Sequence, residues 1–167
     1  MLFIGAIDRE SMGNSNEVNL TVTASDSGEP KRSSSVPVTI RVKDINDNTP
    51  IFSNSRYSIP LDANISPGGI IGRLQATDAD STSPNNFITY TTGNPQFKVT
   101  DSGEIVFIGP GVLEKNVNLE FNVTASDGGD PMNQAVAQVV LNEHRAMKSI
   151  ENELTTQINS NDTGGEK

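Results

Sequence analysis

Between the alternating run Val36-Pro-Val-Thr-Ile-Arg-Val-Lys43 and a proline at position 50 lies Asp44-Ile-Asn-Asp-Asn48, which puts two carboxylates and two side-chain amides in five residues. Similar oxygen-bearing groups stand at Asp8-Arg-Glu10, at Asp78-Ala-Asp80 with Asn85 in the following loop, and at Asp127. The chain has no cysteine and one histidine, so sulfur is absent and imidazole nearly so. That donor set suits a hard cation. Ca²⁺ takes ~6–8 oxygens at flexible angles, from carboxylates, amides and backbone carbonyls together, whereas Mg²⁺ demands a strict octahedron and keeps its waters. Zn²⁺ and Cu²⁺ favour the sulfur and nitrogen ligands this chain lacks.

Composition excludes several other chemistries. A formal net charge of −9 leaves no basic stripe to displace counterions from phosphates, so nucleic acid is not an expected partner. Paired carboxylates could serve a glycosidase, but that needs one acid in a hydrophobic cleft, and these acids sit in hydrophilic stretches without aromatic neighbours. No Ser/His/Asp set, Gly-rich phosphate loop or zinc spacing is present, so an enzyme is not expected. No run approaches the ~20 apolar residues of a membrane helix, and the apolar opening Met-Leu-Phe-Ile-Gly-Ala-Ile is too short and lacks the basic residues of a secretory signal.

The elements that must position these residues follow from an internal repeat. Residues 21–30 read Thr-Val-Thr-Ala-Ser-Asp-Ser-Gly-Glu-Pro, and residues 122–131 read Asn-Val-Thr-Ala-Ser-Asp-Gly-Gly-Asp-Pro. A spacing of 101 residues is too long for solenoid or propeller units and suits a β-sandwich of about 100 residues. Each copy precedes an alternating strand, with Val36/Val38/Ile40/Val42 in the first and Ala135/Ala137/Val139/Leu141 in the second. Strand, acidic turn, strand is the common unit.

Between the copies, strand-like runs at 57–61, 70–76, 87–90, 97–99, 104–108, 119–125 and 134–141 are separated by Gly, Pro, Asn, Asp and Ser clusters. The expected fold is all-β: a seven-strand Greek-key, Ig-like sandwich over residues 51–142, preceded by the C-terminal part of another such unit over residues 1–50. Leu119, Phe121, Val123 and Ala125 should face the core, and Glu120, Asn122 and Thr124 water. Tyr57, Phe87, Tyr90, Phe97 and Phe121 are read as core or strand ends. Met147, Ile150, Leu154 and Ile158 recur at helical spacing, giving residues 143–167 as a weakly helical or disordered tail that begins near the exposed His144.

In such a sandwich the loops after the second and sixth strands share a pole with the incoming N-terminus. Asp78, Asp80, Asn85 and Asp127 should crowd the Asp44–Asn48 seam, with Asp8 and Glu10 reaching it from the preceding unit. Six carboxylates (Asp8, Glu10, Asp47, Asp78, Asp80, Asp127) would then converge. Each like-charged pair near 4 Å costs about 1 kcal/mol in water and about 4 at an effective dielectric of 20. A divalent cation turns that repulsion into attraction.

In order and spacing, Asp8-Arg-Glu10, Ala24-x-Asp26, Asp44-x-Asn-Asp-Asn-x-Pro-x-Phe52, Asp78-x-Asp80, Asn85-Asn-Phe-Ile-Thr-Tyr90 and Ala125-x-Asp127 resemble the motifs of cadherin extracellular repeats, over about residues 1–142. The resemblance implies a calcium-dependent cell–cell adhesion module in which Ca²⁺ stiffens tandem sandwiches. The parent would be membrane-anchored on the extracellular face of the plasma membrane, with other cadherin-like ectodomains as homophilic or heterophilic partners. It implies carboxylate ligands from Asp8, Glu10, Asp47, Asp78, Asp80 and Asp127, and the Asn46 side chain. It also implies backbone oxygens from Ile45, Asn48 and Asn85, with Asp44 orienting the linker.

The chain departs from the family pattern in places. The glutamate placed near the start of a repeat falls at Ala63, beside Asp62; Leu113-Glu-Lys-Asn116 stands where a second Asp-Arg-Glu is expected; and no second Asp-x-Asn-Asp-Asn follows Leu141. The expectation is that no calcium linker follows the complete domain. Trp is absent, so the tryptophan-exchange adhesion of classical cadherins cannot operate within this segment. The alternative is a metal-independent Ig- or fibronectin-like spacer in an extracellular receptor, which leaves the convergent acids unexplained. Asn-x-Ser/Thr occurs at Asn19, Asn64, Asn122 and Asn161, about as often as chance gives in this composition. Asn122, pointing outward from its strand, is the best placed of these for a glycan.

Overall fold

The computed structural model of the chain describes residues 7–13, 15–61, 63–115 and 117–143. The tail beyond Glu143 lies outside the described residues, as do Asp62 and Asn161. Among the described residues the structure is β throughout except for one turn of 3-10 helix at Glu10–Met12. The strands are β1 (Glu17–Ser25), β2 (Ser33–Arg41), β3 (Ile51–Phe52), β4 (Arg56–Leu61), β5 (Ile70–Arg73), β6 (Ala76–Thr77), β7 (Thr89–Thr92), β8 (Phe97–Val99), β9 (Glu104–Phe107), β10 (Leu119–Ser126) and β11 (Gln134–Glu143). The chain divides into two compact units. One comprises Met1–Ser53, Gln75–Tyr90 and Thr124–Ala135; the other comprises Asn54–Leu74, Thr91–Val123 and Val136–Lys167.

In the first unit β1 and β2 form an antiparallel hairpin in unbroken register from Glu17↔Arg41 to Ser25↔Ser33. One face is polar: Thr39 Oγ1 donates to Asn19 Oδ1 (2.7 Å) and Arg41 pairs with Glu17 (2.8 Å). On the other face Leu20 stands opposite Val38 and Val22 opposite Val36, and all four side chains are exposed. After Pro50, which is buried, β3 pairs with β6 (Ile51↔Thr77, Phe52↔Ala76). The proline thus ends the linker and starts a short strand that ties it to the loop after residue 77.

The sandwich is built from two sheets, ordered β4-β11-β10-β7 and β5-β9-β8, with β4 parallel to β11. In the second unit its core takes Phe97, Val99, Ile105 and Phe107 from one sheet and Leu61, Phe121, Val123, Ala137, Val139 and Leu141 from the other, all buried. Phe97 stacks on Phe121 with ring centres 4.6 Å apart and tilts against Phe107 at 5.7 Å. Each such side chain contributes about 1.5–3 kcal/mol on leaving water. Along β10, Phe121, Val123 and Ala125 are buried while Glu120 and Asn122 are exposed, as the alternation predicts.

Two expected strands differ in detail. The run at 70–76 is broken into β5 and β6, which belong to different sheets, with a bulge between Ile70 and Gly72; Ile71 and Leu74, three residues apart, are both buried. The run at 87–90 is displaced to 89–92. Phe87 closes a turn by donating its N–H to Pro84 O (3.0 Å), and its ring is exposed.

Candidate metal centre

The two copies of the repeat build the same turn. Asp26 Oδ1 accepts the N–H groups of Gly28 (3.1 Å) and Arg32 (2.9 Å), and Asp26 N–H donates to Arg32 O (3.0 Å). Asp127 Oδ1 accepts from Gly129 (3.0 Å) and Asn133 (3.0 Å), and Asp127 N–H donates to Asn133 O (3.2 Å). An aspartate that caps its own turn in this way is held in one rotamer. Asp127 is buried, at 2% exposure.

Three segments of the first unit meet at Asp127. From the linker, Asn46 Nδ2 donates to Asp127 Oδ2 (3.1 Å) and to Pro131 O (2.7 Å), which fixes its amide orientation. The Asn46 side chain lies on Gly129, where a Cβ would meet the amide itself. From the loop after β6, Asp80, 4% exposed, accepts at Oδ1 from Asn48 N–H (3.2 Å) and Asn48 Nδ2 (2.7 Å). Asp78 Oδ1 accepts from Asp80 N–H (2.9 Å). Three side-chain oxygens remain, Asn46 Oδ1, Asp78 Oδ2 and Asp80 Oδ2, each buried and without a hydrogen-bond partner. Buried acceptors left this way cost about 1–3 kcal/mol each, more when charged.

A second group adjoins the first through Asp80. One carboxylate oxygen each from Glu10, Asp44 and Asp80 lie within 4.8 Å of one another. Glu10 Oε1 accepts from Ser81 Oγ (2.8 Å). Asp44 accepts from the N–H groups of Ser81 (3.2 Å) and Thr82 (3.0 Å), from Thr82 Oγ1 (2.6 Å) and from Asn85 Nδ2 (3.1 Å). Asp44 therefore both braces the 81–85 loop and presents charge to Glu10 and Asp80.

Cations do not offset these charges. Among the described residues the two ion pairs are Arg41–Glu17 and Arg56–Glu120, and neither involves these acids. Arg9 spends its guanidinium on the backbone oxygens of Gly13 (3.0 Å) and Ser15 (3.3 Å). The proton affinities register the strain. Burial pushes the Asp78 carboxyl above its ordinary range; the Asp80 N–H pulls it down, but the charges of Asp80 and Asp127 push it up again. The Ser81 hydroxyl lowers Glu10, yet burial and the Asp44 and Asp8 carboxyls leave it raised. Asp44 is raised by burial, and the Thr82 hydroxyl and Ser81 N–H outweigh this to leave it lowered.

The other expected ligands lie differently. Asp8 is exposed and its Oδ1 accepts from Glu10 N–H (3.1 Å). Asp47 is exposed, accepting from Asn48 Nδ2 (3.0 Å). The Ile45 carbonyl accepts from Asp47 N–H (2.9 Å), and the Asn48 carbonyl from Asn133 Nδ2 (2.7 Å). Asn85 contributes its side chain to Asp44. Sequence reasoning did not place Asp44 among the gathered carboxylates, although it opens the same motif, and it passed over Asn133 and Gly129. The offset of Asn133 from Asp127, matching that of Arg32 from Asp26, was the available signal.

No family model matches the chain. It is 38% identical to human protocadherin alpha-2 over 134 residues, covering 75% of this chain and 14% of that protein. Among solved structures, mouse cadherin-23 EC22-24 aligns with a TM-score of 0.73 at 30% identity, over 83% of this chain and 45% of that one. Drosophila N-cadherin EC1-4 aligns with a TM-score of 0.71 at 34% identity, over 83% of this chain and 34% of that one. The chain therefore spans a small part of the curated relative it matches.

Proposed function

Because the chain belongs to the cadherin superfamily, we propose that it is a calcium-dependent cell–cell adhesion module in which Ca²⁺ binds at the linker and stiffens the joint between consecutive repeats. The observation that carries this reading is the set of three buried, partnerless oxygens on Asn46, Asp78 and Asp80. They are the oxygen types a hard divalent ion takes, and among the described residues no ion pair offsets the surrounding charge. Asn46, Asp78, Asp80 and Asp127 would hold one ion, and Glu10, Asp44 and Asp80 another. Asp8, Asp47 and the carbonyls of Ile45, Asn48 and Asn85 would complete the coordination. The ion supplies charge neutralisation and coordination; no reaction is assigned to it.

In this reading residues 1–50 form the end of one repeat with its linker, and residues 51–142 a complete repeat. The parent protein stands on the extracellular face of the plasma membrane. It meets other cadherin-like ectodomains, of its own or another kind, and bead aggregation with the parent ectodomain tests that partner assignment.

The calcium reading is tested by melting the chain with Ca²⁺ and with chelator. A ligand bound only by the folded state adds RT ln(1 + [L]/Kd), about 2.7 kcal/mol at a hundredfold excess over Kd. A clear rise in Tm is expected. An unchanged Tm would favour the metal-independent spacer.

A further inference from the structure

We propose that Asn133 is a positioning residue for this centre: its side-chain amide braces the linker against the β10–β11 turn and so sets how tightly the cation is held. The inference rests on the calcium reading above and deepens it. Asn133 Nδ2 donates to the backbone oxygens of Asn48 (2.7 Å) and Asn46 (3.3 Å). Its own N–H is shared between Asp127 Oδ1 (3.0 Å) and Oδ2 (3.1 Å). One half-buried residue therefore ties the Asn46–Asn48 segment to the Asp127 carboxylate. The residues it spans hold Asn46 Oδ1, a buried partnerless oxygen, and the Asn48 groups that orient Asp80.

The internal repeat separates the two jobs of this position. In the first copy Arg32 stands at the same offset and makes the same backbone bonds with Asp26. The turn therefore forms whatever the side chain is, and what Asn133 adds is the amide reaching the linker. Partners that orient metal ligands without touching the ion typically govern 10- to 100-fold in affinity.

The test uses the whole chain with Ca²⁺ alone as the titrant, in calorimetry, for the wild type and for Asn133→Ala, Asn133→Arg and Asn133→Asp. Asn133→Ala and Asn133→Arg are expected to bind about tenfold more weakly, with a metal-free Tm close to wild type. Asn133→Asp separates bracing from mere charge: added negative charge alone would tighten binding, whereas a carboxylate facing two carbonyl oxygens breaks the brace and weakens it. Wild-type affinity in the first two variants, or tighter binding in Asn133→Asp, overturns the inference. Amide hydrogen exchange of residues 44–48 in chelator gives a metal-free readout. Faster exchange in Asn133→Ala is expected, and unchanged exchange counts against the brace even if the wild type binds no Ca²⁺, a result that would remove the calcium reading separately.

Discussion

Asn46 Nδ2 donates to Asp127 Oδ2 across 3.1 Å, and the same amide leaves its oxygen buried with no partner. The bond runs from the linker to a turn 81 residues further along the chain. It uses up the donor end of Asn46 and leaves the acceptor end buried without a partner, as Asp78 Oδ2 and Asp80 Oδ2 also are. An arrangement that satisfies every donor and strands three acceptors is poor as a self-contained network and apt as a cation site.

Replacing Asp80 separates the metal-free from the metal-bound state. Asp80→Asn removes a charge that repels Asp78, so the Tm in chelator is expected to stay level or rise. The increase in Tm on adding Ca²⁺ is expected to fall to a small fraction of the wild-type shift. Melting curves in both conditions check this, and an undiminished calcium response would remove Asp80 from the centre.

Asp44→Asn tests the second group of carboxylates. The amide oxygen, standing in the place of Oδ2, can still accept from Thr82 N–H and Thr82 Oγ1, so the loop is expected to hold by those bonds while the Ser81 N–H loses its acceptor at Oδ1 and the charge toward Glu10 and Asp80 is lost. Calcium titration should show at least a severalfold weaker binding step. Unchanged binding would leave Asp44 as a brace alone.

Gly129→Ala places a methyl group on the Asn46 amide, a close approach that glycine allows. The linker must shift to admit it. The expected result is weaker Ca²⁺ binding with destabilisation of about 1–3 kcal/mol, measured by calorimetry and denaturant titration.

The acidity of the centre gives a pH signature. In the metal-free protein Asp78 and Glu10 titrate above their ordinary range, so the stability that their protonated forms contribute is complete below the unfolded carboxylate values, about 4, and is lost as pH rises through the raised folded values. Asp44 is lowered, and its contribution is present above that range and lost only under stronger acid. In chelator, Asp78→Asn should therefore flatten the decline of Tm from mildly acidic to neutral pH. Ca²⁺ should reverse that decline, because metal competes with protons for the same oxygens. A wild-type slope insensitive to Asp78→Asn would contradict the assignment.

Alternation along β10 was legible because Phe121, Val123 and Ala125 face a covered sheet side and Glu120 and Asn122 an open one. The run at 70–76 was legible only as strand-like. Ile71 and Leu74 are both buried at a spacing that would put them on opposite faces of an uninterrupted strand, and the Leu74 N–H goes to Gly103 O (2.8 Å), a pairing between distant loops that no local pattern encodes. Phe87 reads by residue type as core or a strand end, and the turn from Pro84 leaves it exposed ahead of the strand. At the centre, the motifs identified Asp78, Asp80, Asn46 and Asp127 as candidates because residue type marks a donor. Residue type does not mark which amide end faces inward, nor that the Asn133 side chain reaches the carbonyls of Asn46 and Asn48.

The hairpin β1–β2 and the pair β10–β11 carry nearly the same Val-Thr-Ala-Ser-Asp segment, yet Val22 and Val36 are exposed while Val123 and Ala137 are buried. A two-stranded ribbon with its apolar side open to water is marginal on its own, whereas strands inside a closed core open only when the whole domain does. The two copies should thus differ in lifetime by orders of magnitude despite their similar sequences. How long a duplicated motif stays shut is decided by what covers it.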